Sequence, residues 1–139
     1  MRRRIILDTG PLAALLNKRD TWHEWLKQEL AQVKPPLLTC ESVISEACFL
    51  LKNLHNDQES VIFLLNNGTI QIPFRLNEEA ASIQELSRRY QSIPMSLADA
   101  CIVRMAELYP DSVVLTLDSD FTIYRKNRNQ EIPVIMPPS

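Results

Sequence analysis

At 139 residues the chain has the length of one ordinary domain and enough sequence for a continuous core, so 1–139 is read as a single domain. With 45% hydrophobic and 23% charged residues it resembles neither a disordered segment nor a coiled coil, and a formal charge of −2 argues against a strongly basic nucleic-acid wrapper while leaving room for a local basic patch. The cysteines Cys40, Cys48 and Cys101 are odd in number, lack C-x-x-C spacing and fall in apolar segments, as reduced core residues of a cytoplasmic protein do. The apolar run after Arg2–Arg4 stops at Asp8, far short of a secretory leader, and no stretch approaches the roughly 18 apolar residues of a membrane span.

Ile5, Ile6 and Leu7 predict a strand that ends at Asp8, followed by Thr9-Gly10 and a short helix from Pro11 to Leu16. Proline at the first helical position is preset for the helix and forfeits only an N–H that would be unpaired anyway. Asn17–Asp20 closes that helix, and Asp20 or Thr21 caps the next, in which Trp22, Trp25, Leu26 and Leu30 share one face. Pro35-Pro36 breaks it, and Leu37–Thr39 reads as a short strand. Ser42–Leu54 is apolar nearly all round, a pattern that predicts burial on most sides.

Asp57 begins a helix that carries Val61, Ile62, Leu64 and Leu65 and stops at Asn66-Asn67-Gly68. Thr69–Ile72 reads as a strand ended by Pro73. Asn77 caps a helix through Tyr90, with Ala80, Ala81, Ile83 and Leu86 inward and Glu78, Glu79, Glu85, Arg88 and Arg89 outward. Ser96 caps the helix Leu97–Leu108, Val113–Leu117 is a strand, Arg125, Lys126 and Arg128 form a basic loop, and Pro133–Met136 is a last strand. Short apolar strands alternating with helices imply right-handed crossovers and a parallel sheet covered on both faces, an α/β sandwich of three layers.

Four acids stand out by their settings. Asp8 and Asp118 each end a predicted strand, where ligands of open α/β sheets bind. Glu46 lies among Val43, Ala47 and Leu50, and Asp99 among Leu97, Ala98, Ala100, Cys101, Ile102 and Val103; both are expected to face inward. Each has a plainer explanation as well: a capping box for Ser96 and Asp99, turn residues for Asp118 and Asp120, a core ion pair for Glu46, a helix cap for Asp8. Taken together, converging carboxylates would repel and take up protons unless a hard divalent cation neutralised them, and Mg²⁺ or Mn²⁺ prefers such ligands. His23 and His55 have no partner at zinc-ligand spacing.

Ile-Leu-Asp8-Thr-Gly-Pro-Leu, Ser45-Glu46, Leu97-Ala98-Asp99-Ala100 and Leu115-Thr116-Leu117-Asp118-Ser119-Asp120-Phe121, in that order, resemble the PIN-domain nucleases, and in particular the VapC toxin ribonucleases of bacterial toxin–antitoxin pairs. The resemblance spans essentially the whole chain. It implies a central parallel sheet of order 3-2-1-4-5 and an acidic Mg²⁺ or Mn²⁺ site formed by Asp8, Glu46, Asp99 and Asp118, with Asp120 replacing or assisting Asp118 and Thr9 and Thr116 as supporting hydroxyls. It further implies cleavage of RNA to a 5′-phosphate and a 3′-hydroxyl, a small antitoxin partner and a homodimer. Family-like RNA binding would rest on Arg104, Arg125, Lys126 or Arg128, charges that a solvated face explains equally well. The alternatives are a housekeeping PIN nuclease without an antitoxin, a non-catalytic interaction domain, and a phosphotransferase or phosphatase with Asp8 as nucleophile. The last would carry a second Asp two residues on, where this chain has Gly10.

Overall fold

A computed structural model describes residues 3–54 and 57–138; Arg2 and His55 of the sequence reading lie outside the described residues. Ile5, Ile6 and Leu7 are buried in β1 (Arg4–Leu7), and all four residues of β4 (Ser112–Leu115) are buried beside them. Such unbroken apolar runs mark strands covered on both faces. β1 pairs in parallel with β4 from Arg4↔Ser112 to Leu7↔Leu115, and on its other side with β2 (Leu37–Leu38) through Ile6↔Leu38. β3 (Ile70–Gln71) continues beyond β2 and β7 (Val134–Ile135) beyond β4. The five-stranded parallel order β3-β2-β1-β4-β7 is the expected 3-2-1-4-5, because the two intervening strands β5 (Arg125–Lys126) and β6 (Gln130–Glu131) form a separate antiparallel hairpin.

Helices α1 (Thr9–Leu15), α2 (His23–Leu30), α3 (Glu41–Leu50), α4 (Asp57–Asn66), α5 (Leu76–Arg89) and α6 (Leu97–Leu108) connect the strands. The core runs through Ile6, Leu7, Leu12, Leu26, Val43, Ala47, Ile102, Met105, Leu115, Phe121 and Tyr124. Most of α6 is buried, which is why Leu97–Leu108 reads as apolar on several faces. Gly68 ends α4 with a φ of +84°, a left-handed position that glycine occupies without strain. Cys40 and Cys101 are buried and Cys48 is half-buried, and none of the three forms a disulfide among the described residues. No helix among the described residues is long and apolar enough to cross a membrane.

Several expectations are revised. α1 starts at Thr9, two residues before Pro11, with Asp8 as an N-cap whose side chain makes no capping bond. Asp20 accepts from Trp22 N–H and so forms the turn before α2, and Asn77 lies inside α5, which starts at Leu76. The expected burial of Ser42–Leu54 fails on one side: Val43 and Ala47 are fully buried, yet Phe49 is 64% and Leu50 60% exposed. With Leu54, Ile62 and Phe63 they leave an apolar surface along α3 and α4 that no other described element covers. The basic loop is instead the β5–β6 hairpin, reversed at Asn127 and Arg128, both at positive φ.

Candidate active site

The carboxyl end of β1 delivers Asp8 to the edge of the sheet, and the parallel neighbour β4 delivers Thr116 and Asp118 beside it. The Thr116 hydroxyl donates to Asp8 Oδ2 at 2.7 Å and accepts from Asp118 N–H at 2.9 Å, so one buried hydroxyl joins the ends of both strands. Asp118 Oδ1 in turn accepts from Asp120 N–H at 2.9 Å and caps the short 3-10 helix Ser119–Thr122. Gly10 lies where this assembly is tightest, because a Cβ there would stand 3.3 Å from the Leu117 side chain.

The other two acids come from helices. Glu46 projects from α3 and is exposed, contrary to the inward position expected of it, and its Oε1 accepts from the Thr9 hydroxyl at 3.1 Å. α3 buries Val43 and Ala47 on one face while its flank opens to solvent, and Glu46 lies on that flank. Asp99 is half-buried at the start of α6, where the capping box is fully formed: Ser96 N–H donates to Asp99 Oδ2 and Asp99 N–H to the Ser96 hydroxyl, both at 3.0 Å. The capping explanation and proximity to the other acids therefore hold together.

Electrostatics connect the four. Asp8 is only 5% exposed, and burial lifts its pKa from 3.8 to about 6, reinforced by the negative charge of Asp99 and Asp118 and opposed by the bonds from Thr116 and Thr9. Asp99 is raised as well, first by burial and then by the charges of Asp118 and Glu46. Asp8 thus lies within the fields of Asp99 and Asp118, and Asp99 within those of Asp118 and Glu46, which makes Asp99 the link between Glu46 and Asp8. Among the described residues, however, no three His, Cys, Asp or Glu side chains close on a common point as a finished cage. The all-oxygen donor set nevertheless fits Mg²⁺ or Mn²⁺, since a small hard cation retains several waters and needs only one or two direct carboxylates.

The four cations named from the sequence are placed differently. Arg104 is committed to Glu79 (2.7 Å) and Glu107 (3.0 Å). Arg125 donates to the carbonyls of Thr122, Ile123 and Tyr124, and Lys126 is buried in β5. Arg128 is exposed at the hairpin tip. His23, with no ligand partner at spacing, is a core residue whose ring Nδ1 lies 2.9 Å from the Ala14 carbonyl. One residue near the acids had no sequence signal beyond being aromatic: Tyr124, fully buried, whose hydroxyl lies 3.4 Å from Asp99 Oδ2.

A family model described as the PIN domain matches residues 5–127. The chain belongs to the PIN domain family. The match takes in β1 from Ile5 onward, helices α1 to α6 and the acids at positions 8, 46, 99 and 118. Among solved structures, this PIN domain is similar to Mycobacterium tuberculosis VapC20, described as a toxin that cleaves the sarcin–ricin loop, at a TM-score of 0.78 and 22% identity over 91% of this chain and 98% of that one. It is also similar to FitAB bound to a DNA fragment (TM-score 0.61, 18% identity, 95% and 94% covered). A FitAcB structure from Neisseria gonorrhoeae is a further match (0.53, 17%, 83% and 88%). At these identities the likeness is one of fold. No curated protein sequence matched significantly.

Proposed function

We propose that this PIN domain, a single unit over 1–139, is a cytoplasmic, metal-dependent endoribonuclease and the toxin of a toxin–antitoxin pair. The observation that carries the proposal is the buried Asp8 at the sheet edge, raised to about 6 and within the fields of Asp99 and Asp118. A protein that only needed a stable fold would gain from replacing such a group, whereas a cation site needs it. Asp8, Glu46, Asp99 and Asp118 would hold Mg²⁺ or Mn²⁺, with Asp120 kept near by the bond of its N–H to Asp118. When bound, the ion supplies a Lewis acid that polarises the scissile phosphate and lowers the pKa of a coordinated water.

The chain's own residues have distinct tasks. Thr116 fixes one oxygen of Asp8, leaving the other for the ligand, and Thr9 orients Glu46 across α1 and α3. Ser96 orients Asp99 at the N-terminus of α6. The raised pKa of Asp8 is that of the ion-free site, and a cation bound at its second oxygen would hold the group ionised. Of these four cations Arg128, exposed and within reach of the Glu85 charge, is the one offered to RNA phosphate, while Arg104, Arg125 and Lys126 serve the fold first.

VapC20 is described as a toxin and FitAB as a complex on DNA, and the apolar surface of Phe49, Leu50, Leu54, Ile62 and Phe63 supports an antitoxin or a second copy docking here. The phosphotransferase alternative loses ground, because a side chain at position 10 would press on Leu117. Cleavage of single-stranded RNA with Mg²⁺ or Mn²⁺ and a chelator control tests the proposal. The wild type should yield 5′-phosphate and 3′-hydroxyl ends, and Asp8→Asn and Asp99→Asn should lose activity at least about a hundredfold while staying folded. Wild-type activity in both variants would refute it.

A further inference from the structure

Tyr124 is fully buried immediately after the 3-10 helix that Asp118 caps, and its backbone N–H donates to the Asp120 carbonyl at 3.0 Å. Its ring is gripped edge-to-face between Tyr90 (centroids 5.1 Å, 71°) and Phe121 (5.2 Å, 89°), which leaves it little freedom. Its hydroxyl therefore stands at a fixed point, donating to the Pro94 carbonyl in the α5–α6 connection and reaching Asp99 Oδ2 at 3.4 Å. A hydroxyl has one proton for these two acceptors. The Pro94 carbonyl is the nearer acceptor, so that bond fixes the hydroxyl, and Asp99 Oδ2 is its second, longer contact.

We propose that Tyr124 is a positioning residue for Asp99, its hydroxyl meeting the same Oδ2 that accepts from the Ser96 backbone so that the carboxylate is preset for a divalent cation. The role rests on the nuclease reading above. It is separable from ring packing because the neighbouring Tyr90 makes the same edge-to-face contact but sends its hydroxyl elsewhere, accepting from Arg125 N–H at 2.9 Å in the hairpin. Groups that orient a ligating side chain in this way set metal affinity by roughly ten- to a hundredfold.

The test compares wild type, Tyr124→Phe and Tyr90→Phe, each checked for folding by thermal melting. Mn²⁺ affinity is measured by calorimetry on the RNA-free protein, and kcat and KM are measured on a single-stranded RNA. Tyr124→Phe should weaken Mn²⁺ binding roughly tenfold and lower kcat at fixed Mn²⁺ with KM unchanged. Tyr90→Phe should leave both close to wild type. Equal Mn²⁺ affinity in Tyr124→Phe and wild type overturns the positioning role, as does equal weakening in the two variants, which would mark a packing effect. Wild-type protein that binds no Mn²⁺ and cleaves no RNA overturns the nuclease reading itself.

Discussion

Asp8→Asn should make the protein more stable at neutral pH while destroying its activity. Asp8 has a folded-state pKa of about 6 against 3.8 for the free group, so the folded chain favours the protonated form. Below about pH 4 the group is protonated in both states and costs nothing; between about pH 4 and 6 only the folded state holds the proton, and stability falls as pH rises. Above about pH 6 the penalty is complete, and roughly two pKa units at about 1.4 kcal/mol each make it roughly 3 kcal/mol. Asparagine keeps an oxygen for the Thr116 hydroxyl and removes the charge, but adds an amide that needs partners, so the net gain is about 1–3 kcal/mol. In a chain of this length that raises Tm by roughly 3–10 °C at pH 7.5, with no gain near pH 3.5. Added Mn²⁺ should cancel or reverse the difference, since a ligand at a hundredfold excess over its Kd stabilises the folded form by about 2.7 kcal/mol and the variant has lost the site. Urea denaturation and thermal melting at the two pH values, with and without Mn²⁺, read all of this. A metal-free Asp8→Asn protein less stable than wild type at pH 7.5, or offset equally at both pH values, would refute the reasoning.

Thr116→Val deletes the donor to Asp8 and the acceptor of Asp118 N–H with little change in volume. It should destabilise the fold by about 2–3 kcal/mol and push the Asp8 pKa further up, moving the acid limb of the pH–rate profile to higher pH; an unmoved limb would show that Asp8 does not govern activity. Arg104→Ala leaves Glu79 and Glu107 without their shared counter-charge and should lower stability by about 1–3 kcal/mol with RNA affinity unchanged. A large loss of RNA binding without loss of stability would make Arg104 a phosphate contact after all.

What could be seen in the sequence was whatever depends on a residue and its near neighbours. Ile5–Leu7 and Val113–Leu115 announce doubly covered strands, and Ser96 and Asp99 announce their capping box by spacing alone. Burial depends instead on what the rest of the chain lays over a surface. The apolar run around Glu46 therefore misled, because Phe49 and Leu50 stay largely exposed and Glu46 sits on an open flank. The same holds for Arg125 and Lys126, whose charges suggested a solvated loop until the hairpin gave one a ring of carbonyls and buried the other. Tyr124 was illegible because its meeting with Asp99 spans 25 positions and follows no local pattern.

The place of β1 at the centre of the sheet has a mechanical consequence. Asp8 is attached to a strand hydrogen-bonded on both sides, and its own N–H donates to the Leu115 carbonyl, so this wall of the site opens only when the sheet does. Asp118 and Asp120 ride on one short 3-10 helix that the buried Phe121 ties into the core, whereas Glu46 reaches the site from an exposed flank of α3 through the Thr9 hydroxyl. One wall of the site is therefore anvil-like and the Glu46 side is the compliant one. Accommodation of ions of different radius, or of phosphates entering at different angles, would fall to Glu46, while the geometry at Asp8 would stay constant.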